Sequence, residues 1–434
     1  MSAAYRARLR SPAEAAALLR PRDTLCVPLG PGQPGAFLDA LGARDDWQQL
    51  EIFAGLLLAP HSVLFHAGVR VLSGFFGPVE RAIRDQGMDV RFVPADFRRF
   101  APAMRKLAPR VVATVVCPPD ASGRMSLGLH AGASVDEMHR AGADQGRVLV
   151  AEINPYLPRT FGIGAHDHSL SIDEVDVIVE SELPLPVLPE SEPSPVELAI
   201  AANIRPFVSD GMTLQTGIGA VPSTVVEILA SGGGGDYGIH SEMFTTGLMK
   251  LHESGKISNR KGVYDGFSIS TFALGTEALH RWLDERPDVR FLPVDLVNDP
   301  AVIARNRKML SINGALAVDL YGQLAADTID GQQWSGIGGA EDFVCGASFS
   351  EGGHSIVCLP STANVGGRAI SRLVPQFPAG ALVTTPRHQV DIVVTEFGAA
   401  ELAGLTVGGR AAALASIAHP EFRDSLAEAA GKHR

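Results

Sequence analysis

One carboxylate in this chain stands in a setting suited to nucleophilic chemistry. In Asp236-Tyr-Gly-Ile-His-Ser-Glu-Met-Phe-Thr-Thr-Gly247, a glycine run (Gly232 to Gly235) leads into a short apolar–polar stretch, Tyr237 to His240. That stretch reads as a brief strand, with Glu242 at its end between Ser241 and the apolar pair Met243-Phe244. A carboxylate at such a strand-to-loop junction is partly stripped of water, which raises its reactivity and keeps competing water away. Taken alone, the same residue also reads as a solvated turn glutamate, so its surroundings decide. Glu152 and Glu396 lie at two other predicted strand ends and are the alternative carboxylates.

Two glycine loops offer the complementary half of such a site. Gly217-Ile218-Gly219-Ala-Val-Pro222 precedes a helical pattern, and its free backbone N–H groups suit an anion or a polarised carbonyl. Gly336, Gly338 and Gly339, followed by Ala340, form the second loop, where backbone can approach a ligand closely. Both loops read equally as ordinary βα turns. As a dinucleotide fingerprint the first is incomplete, because Pro222 stands where a third glycine would be. Neither a Gly-x-Ser-x-Gly elbow nor a Walker A loop occurs. The four cysteines (Cys26, Cys117, Cys345, Cys358) are scattered, as expected of reduced thiols. His166-Asp-His168 is the sole close histidine pair and reads as a polar loop, so no metal site is expected.

The elements that must position these groups alternate between strand and helix. Residues 11–19 read as a helix with Ser11 and Glu14 as a capping box and Pro12 in the first turn. Strands are expected at 23–29, 51–58, 111–117, 148–154 and 175–180, as continuous apolar runs of the kind buried in parallel sheets. Residues 183–195 are proline-dense and read as an extended linker. This divides the chain into an N-terminal α/β domain (1–182), the linker (183–195) and a C-terminal α/β domain (196–434). Asp210-Gly-Met-Thr-Leu-Gln-Thr-Gly-Ile-Gly-Ala-Val-Pro222 echoes Arg22-Asp-Thr-Leu-Cys-Val-Pro-Leu-Gly-Pro-Gly-Gln-Pro34, which suggests two similar halves with a ligand cleft between them. Further strands are expected at 289–294, 315–320, 355–359, 381–385 and 390–395, with a helical segment over 409–429.

Composition bounds the function. A chain of 434 residues exceeds one ordinary core, and 46% hydrophobic with 20% charged residues suits a globular enzyme. The net charge of −11 argues against nucleic acid as a partner. No apolar run approaches the ~20 residues that span a bilayer, and no secretory signal pattern is expected at the N-terminus. A cytoplasmic protein is the expectation.

Several ordered motifs now coincide. Gly238-Ile-His-Ser-Glu-Met-Phe-Thr-Thr-Gly247, Leu214-Gln-Thr-Gly-Ile-Gly-Ala-Val-Pro222, Gly336-Ile-Gly-Gly-Ala-Glu-Asp-Phe343 and Val394-Thr-Glu-Phe-Gly398 resemble the acetyl-CoA hydrolase/transferase family. Leu359-Pro-Ser-Thr-Ala363, Ile417-Ala-His-Pro-Glu-Phe422 and Asn154-Pro-Tyr-Leu-Pro-Arg159 extend the resemblance along nearly the whole chain. The branch most similar in these motifs is that of 4-hydroxybutyrate CoA-transferases. The resemblance implies a class I CoA-transferase fold of two related open α/β domains with mostly parallel sheets and the active site between them. It places the family's catalytic glutamate on Glu242, which would carry a glutamyl-CoA thioester in a ping-pong exchange between a short-chain acyl-CoA and a carboxylic acid such as acetate. It places oxyanion-stabilising and CoA-binding backbone on Gly217, Ile218, Gly219, Gly338, Gly339 and Ala340. Coenzyme A is then a co-substrate, no cofactor is bound permanently, and a homodimer is expected. An acyl-CoA hydrolase is the alternative, and a non-catalytic CoA-binding protein a third reading. The sequence departs from the family pattern at Thr246, Ala340 and Cys345, where relatives carry an acidic residue, a glutamine and an arginine, beside the acyl pocket or the cofactor loop.

Overall fold

The computed structural model describes residues 2–217 and 219–432. The chain divides into two compact units, one of residues 1–189 with 269–297 and the other of 190–268 with 298–434. The boundary near residue 190 falls within a stretch, residues 181–194, that has no regular secondary structure. Residues 269–297 belong to the first unit, whereas the sequence division assigned them to the C-terminal domain. Their backbone explains this. Ala131 and Gly132 N–H donate to Thr271 O, Ala273 N–H to Leu129 O, Phe291 N–H to Phe161 O and Val294 N–H to Gly132 O.

The first unit is built on a seven-stranded sheet. Its strands are β1 (Arg22–Cys26), β2 (Gln49–Ala54), β3 (Val69–Ser73), β4 (Asp89–Phe92), β5 (Val111–Val116), β6 (Val148–Ile153) and β7 (Val177–Glu180). They lie in the order β4-β3-β2-β1-β5-β6-β7, every pair parallel. The continuous apolar runs of β5 and β6 are buried along almost their whole length, as a parallel sheet covered on both faces requires. Leu25, Phe37, Leu38, Ile52, Val71 and Val150 form part of its core. The N-terminus carries two short helices, α1 (Ala3–Arg8), which was not expected, and α2 (Pro12–Ala16), which is shorter than the helix expected over residues 11–19. The Ser11–Glu14 capping box starts α2 as anticipated.

The second unit has a six-stranded sheet. Its strands are β8 (Thr213–Thr216), β9 (Gly238–Ile239), β10 (Met309–Gly314), β11 (His354–Cys358), β12 (Ile392–Thr395) and β13 (Gly398–Glu401). They lie in the order β9-β8-β10-β11-β12-β13, parallel except for the antiparallel β12–β13 hairpin. Each sheet therefore winds outward in one direction from the strand that precedes its glycine turn, β1-β5-β6-β7 in one and β8-β10-β11-β12 in the other. Val318, Leu359, Val393, Leu402 and Leu414 sit in the second core. Residues 381–385, expected as a strand, form no named strand; Thr385 makes only an isolated bridge to Leu324.

Candidate active site

Glu242 sits where the sheet of the second unit ends. Strands β8 and β9 are parallel, with Thr213 opposite Gly238 and Leu214 opposite Ile239. Continuing that register brings Gly217 level with Glu242, at the carboxyl ends of both strands, where open α/β sheets bind ligands. Ser241 is fully buried and points its Oγ toward Thr216 O at 3.5 Å. Beyond Glu242, Thr245 caps the next helix, residues 246–253, through the Leu248 N–H. The carboxylate thus lies between a buried strand end and a capped helix.

Its partners come from far along the sequence. Asn298 Nδ2 donates to Glu242 Oε2 at 2.7 Å, and the Gly339 N–H also donates to the carboxylate. Gly339 is the N-cap of helix α3 (Ala340–Phe349), so the carboxylate meets the positive end of a helix dipole. The approach is close enough that a Cβ on Gly339 would collide with Glu242 Oε2 and Asn298 Nδ2. Phe343 of the same helix packs its ring against His240, 6.2 Å between centroids. That contact locks the first turn of α3 to the strand carrying Glu242. Asn298 itself lies one residue before Asp299, the N-cap of the short helix Pro300–Ile303. That helix presses on α3 at Gly346, where a Cβ would run into Ile303.

Burial raises the Glu242 pKa from 4.5 to about 7, against the opposing pull of the Asn298 and Gly339 donors. Desolvation therefore dominates, yet the group still ionises near neutrality. Such a carboxylate is a stronger nucleophile than a solvated one and is available at physiological pH.

The other residues singled out in the sequence take different parts. The Gly217 N–H donates to Ile312 O at 2.9 Å, so it is spent in the sheet and is not a free oxyanion donor; this corrects the expectation for Gly217. Just below it, Gln215 and Asn313 exchange reciprocal amide hydrogen bonds of 3.1 Å. Ile218 lies outside the described residues. Gly219 has φ +136°, open to glycine alone, and begins a 12-residue helix without a side-chain cap. Gly338, at φ +59°, makes the turn that aims Gly339, and Ala340 is the first residue of α3. Glu152 and Glu396 are occupied structurally. Glu152 accepts from the Ala36 and Phe37 N–H groups at 3.1 and 2.9 Å, filling the helix start that follows the first glycine turn. Glu396 accepts from Ser361 N–H and Oγ at 2.9 and 2.6 Å. His168 is buried and bonds Gly128 O, while His166 is exposed. Among the described residues, no cluster of three or more histidines, cysteines or acidic residues could hold a metal ion, and no helix is long and apolar enough to cross a membrane.

The chain is 39% identical over 431 residues, 98% of its length and 95% of the relative's, to the succinyl-CoA:cyclohexane-1-carboxylate CoA transferase of Geobacter metallireducens. It belongs to the acetyl-CoA hydrolase/transferase family. Residues 275–430 match the acetyl-CoA hydrolase/transferase C-terminal domain. The 4-hydroxybutyrate coenzyme A transferase of Clostridium kluyveri is 40% identical over 74% of this chain and 72% of its own. Among solved structures, RipA from Yersinia pestis superposes with a TM-score of 0.90 at 34% identity, covering 100% of this chain and 99% of that one. The 4-hydroxybutyrate CoA-transferase of Porphyromonas gingivalis does so with a TM-score of 0.78 at 30% identity, covering 98% and 97%. This is a family of enzymes, and its members fold as mixed α/β proteins with large, mostly parallel sheets, as this chain does.

Proposed function

We propose that this enzyme exchanges coenzyme A between a short-chain acyl-CoA and a carboxylic acid through a glutamyl-CoA thioester on Glu242. The observation that carries this reading is the setting of Glu242, a carboxylate with a pKa near 7 held by one side-chain and one backbone donor at the start of α3. Relatives named as CoA transferases, with acids from butyrate to succinate in their names, support CoA thioesters and carboxylates as the substrate class.

The chemistry follows from the groups present. The ionised Glu242 attacks the thioester carbonyl, the C–S bond breaks, and CoA leaves as thiolate, giving an acyl-glutamyl anhydride. The thiolate then attacks the glutamyl carbonyl of that anhydride and expels the donor acid as its carboxylate, leaving Glu242 as a CoA thioester. An acceptor carboxylate runs the two steps in reverse, so the thioester bond energy is carried over without ATP. Developing oxyanions need preorganised N–H donors; Gly339, Ala340 and the loop at Gly219 are the candidates, with Gly338 setting their direction. Coenzyme A is a co-substrate in this scheme, and the protein works as a cytoplasmic homodimer.

The test is transfer itself. With butyryl-CoA and acetate, acetyl-CoA and butyrate should form together, with the parallel initial-rate lines of a double-displacement mechanism. CoA and butyrate released at the same rate with or without acetate would instead mark a hydrolase, the activity named for a Yarrowia lipolytica relative 28% identical over 288 residues.

A further inference from the structure

Behind Asn298 lies a second carboxylate that the scheme above does not use. Asp342, in the first turn of α3, is buried to 1% exposure, and its Oδ2 accepts from the same Asn298 Nδ2 at 3.3 Å. One buried amide nitrogen thus serves two carboxylates, Glu242 on one side and Asp342 on the other. The opposite end of that amide is bare: Asn298 Oδ1 is buried, and among the described residues nothing donates to it. What holds the amide the right way round is therefore on the nitrogen side alone. A flipped amide would turn its oxygen toward Glu242, lose a donor there and set two acceptors against each other.

We propose that Asp342 is a positioning residue for Glu242, anchoring the Asn298 amide so that its N–H, and not its oxygen, faces the nucleophile. This rests on Glu242 being the reacting group. Asp342 acts through Asn298, whose amide it holds. One helix start thus bears on both donors to Glu242, since Gly339 is its N-cap and Asp342, in its first turn, accepts from the Asn298 amide. Two other ionisable groups on the packed elements have contacts of their own. Thr385 Oγ1 donates to Glu341 Oε1, and His240 is turned to the Phe343 ring.

The test reads the ionisation of Glu242 without needing any substrate. A water-soluble carbodiimide labels protonated carboxyls, so its rate at the Glu242 peptide, followed by mass spectrometry over roughly pH 5 to 9, gives the titration midpoint. In Asp342→Ala the loosened amide should withdraw its donor, and the midpoint should rise by about one pH unit. Asn298→Ala should raise it by a similar amount, and the double variant should match Asn298→Ala alone, because Asp342 acts only through that amide. A midpoint that stays put or falls in Asp342→Ala overturns the proposal. A fall would mean that Asp342 acts only as a nearby charge. A double variant whose shift is the sum of the two singles overturns it as well. Should thermal melting show Asp342→Ala unfolded, Asp342→Ser, whose hydroxyl stops short of the amide, takes its place under the same outcomes. A wild type that labels normally at Glu242 but transfers no CoA would instead defeat the transferase reading.

Discussion

Asn298 Nδ2 lies 2.7 Å from Glu242 Oε2, and these two residues are 56 positions apart in the sequence. The hydrogen bond lowers the Glu242 pKa and burial raises it, with burial prevailing. The carboxylate is therefore poised, ionisable near neutral pH while still poorly solvated. Each prediction below follows from that balance or from the packing that enforces it.

Replacing Glu242 with alanine removes the group that carries the thioester in the proposed scheme. CoA transfer should fall at least about 1,000-fold, because no neighbouring carboxylate can substitute for it. Initial-rate measurements of transfer, with circular dichroism as the control for folding, check this.

Gly339→Ala places a methyl group where Glu242 Oε2 and Asn298 Nδ2 now meet. The carboxylate has to move, and a displacement on the order of 1 Å in a reacting group costs about 100-fold in rate. Overpacking should cost ~1–3 kcal/mol in stability without abolishing the fold. Transfer rate and denaturant midpoint measured on one preparation separate the two effects.

The pH dependence has a definite direction. With its pKa raised to about 7, Glu242 is protonated below that pH and cannot attack, so the first half-reaction should slow tenfold per unit as pH falls further. Stability runs the opposite way. The folded pKa exceeds the value of 4.5 expected when unfolded, so this group contributes fully below 4.5 and loses that contribution as pH rises through 7. Glu242→Gln should consequently melt a few degrees above wild type at alkaline pH, and no higher at pH values below 4.5. Thermal melts across that range check the sign.

Glu152 illustrates a carboxylate with a structural task. It is 1% exposed and accepts from two backbone N–H groups at the start of the helix Gly35–Gly42. Glu152→Ala leaves both donors buried and unpaired, and should cost about 1–3 kcal/mol in stability. Chemical denaturation measures it.

Much of the fold is legible along the chain because its central strands are apolar runs. Val111–Val116 and Val148–Ile153 are buried along almost their whole length and announce themselves as parallel strands. Asp89–Phe92 does not, since half of Asp-Val-Arg-Phe is charged and it lies at a sheet edge. Met309–Gly314 hides for another reason. Ser311 and Asn313 interrupt its apolar pattern, because their side chains take part in hydrogen bonding at the sheet's carboxyl end. Ala381–Thr385 has β-type residues but only one bridge to the rest of its unit, so composition without a partner strand misleads there. At the site, Glu242 and Gly339 are visible as a carboxylate and a glycine loop of the right kinds. Asn298 is not, because Asn298-Asp299-Pro300 reads as any turn would; only the packing of Pro300–Ile303 on Gly346 brings it to the carboxylate. Asp342 stands inside a quoted motif, but its task depends on Asn298 and is invisible without it.

The most direct measurement is intact-protein mass after incubation with acetyl-CoA or butyryl-CoA, followed by borohydride reduction and peptide mapping. A mass gain of one CoA before reduction, and a reduced glutamyl side chain at position 242 after it, are the predicted results, both absent in Glu242→Ala. A protein that keeps turning over acyl-CoA while its mass never changes, or an adduct on another residue, would contradict the account.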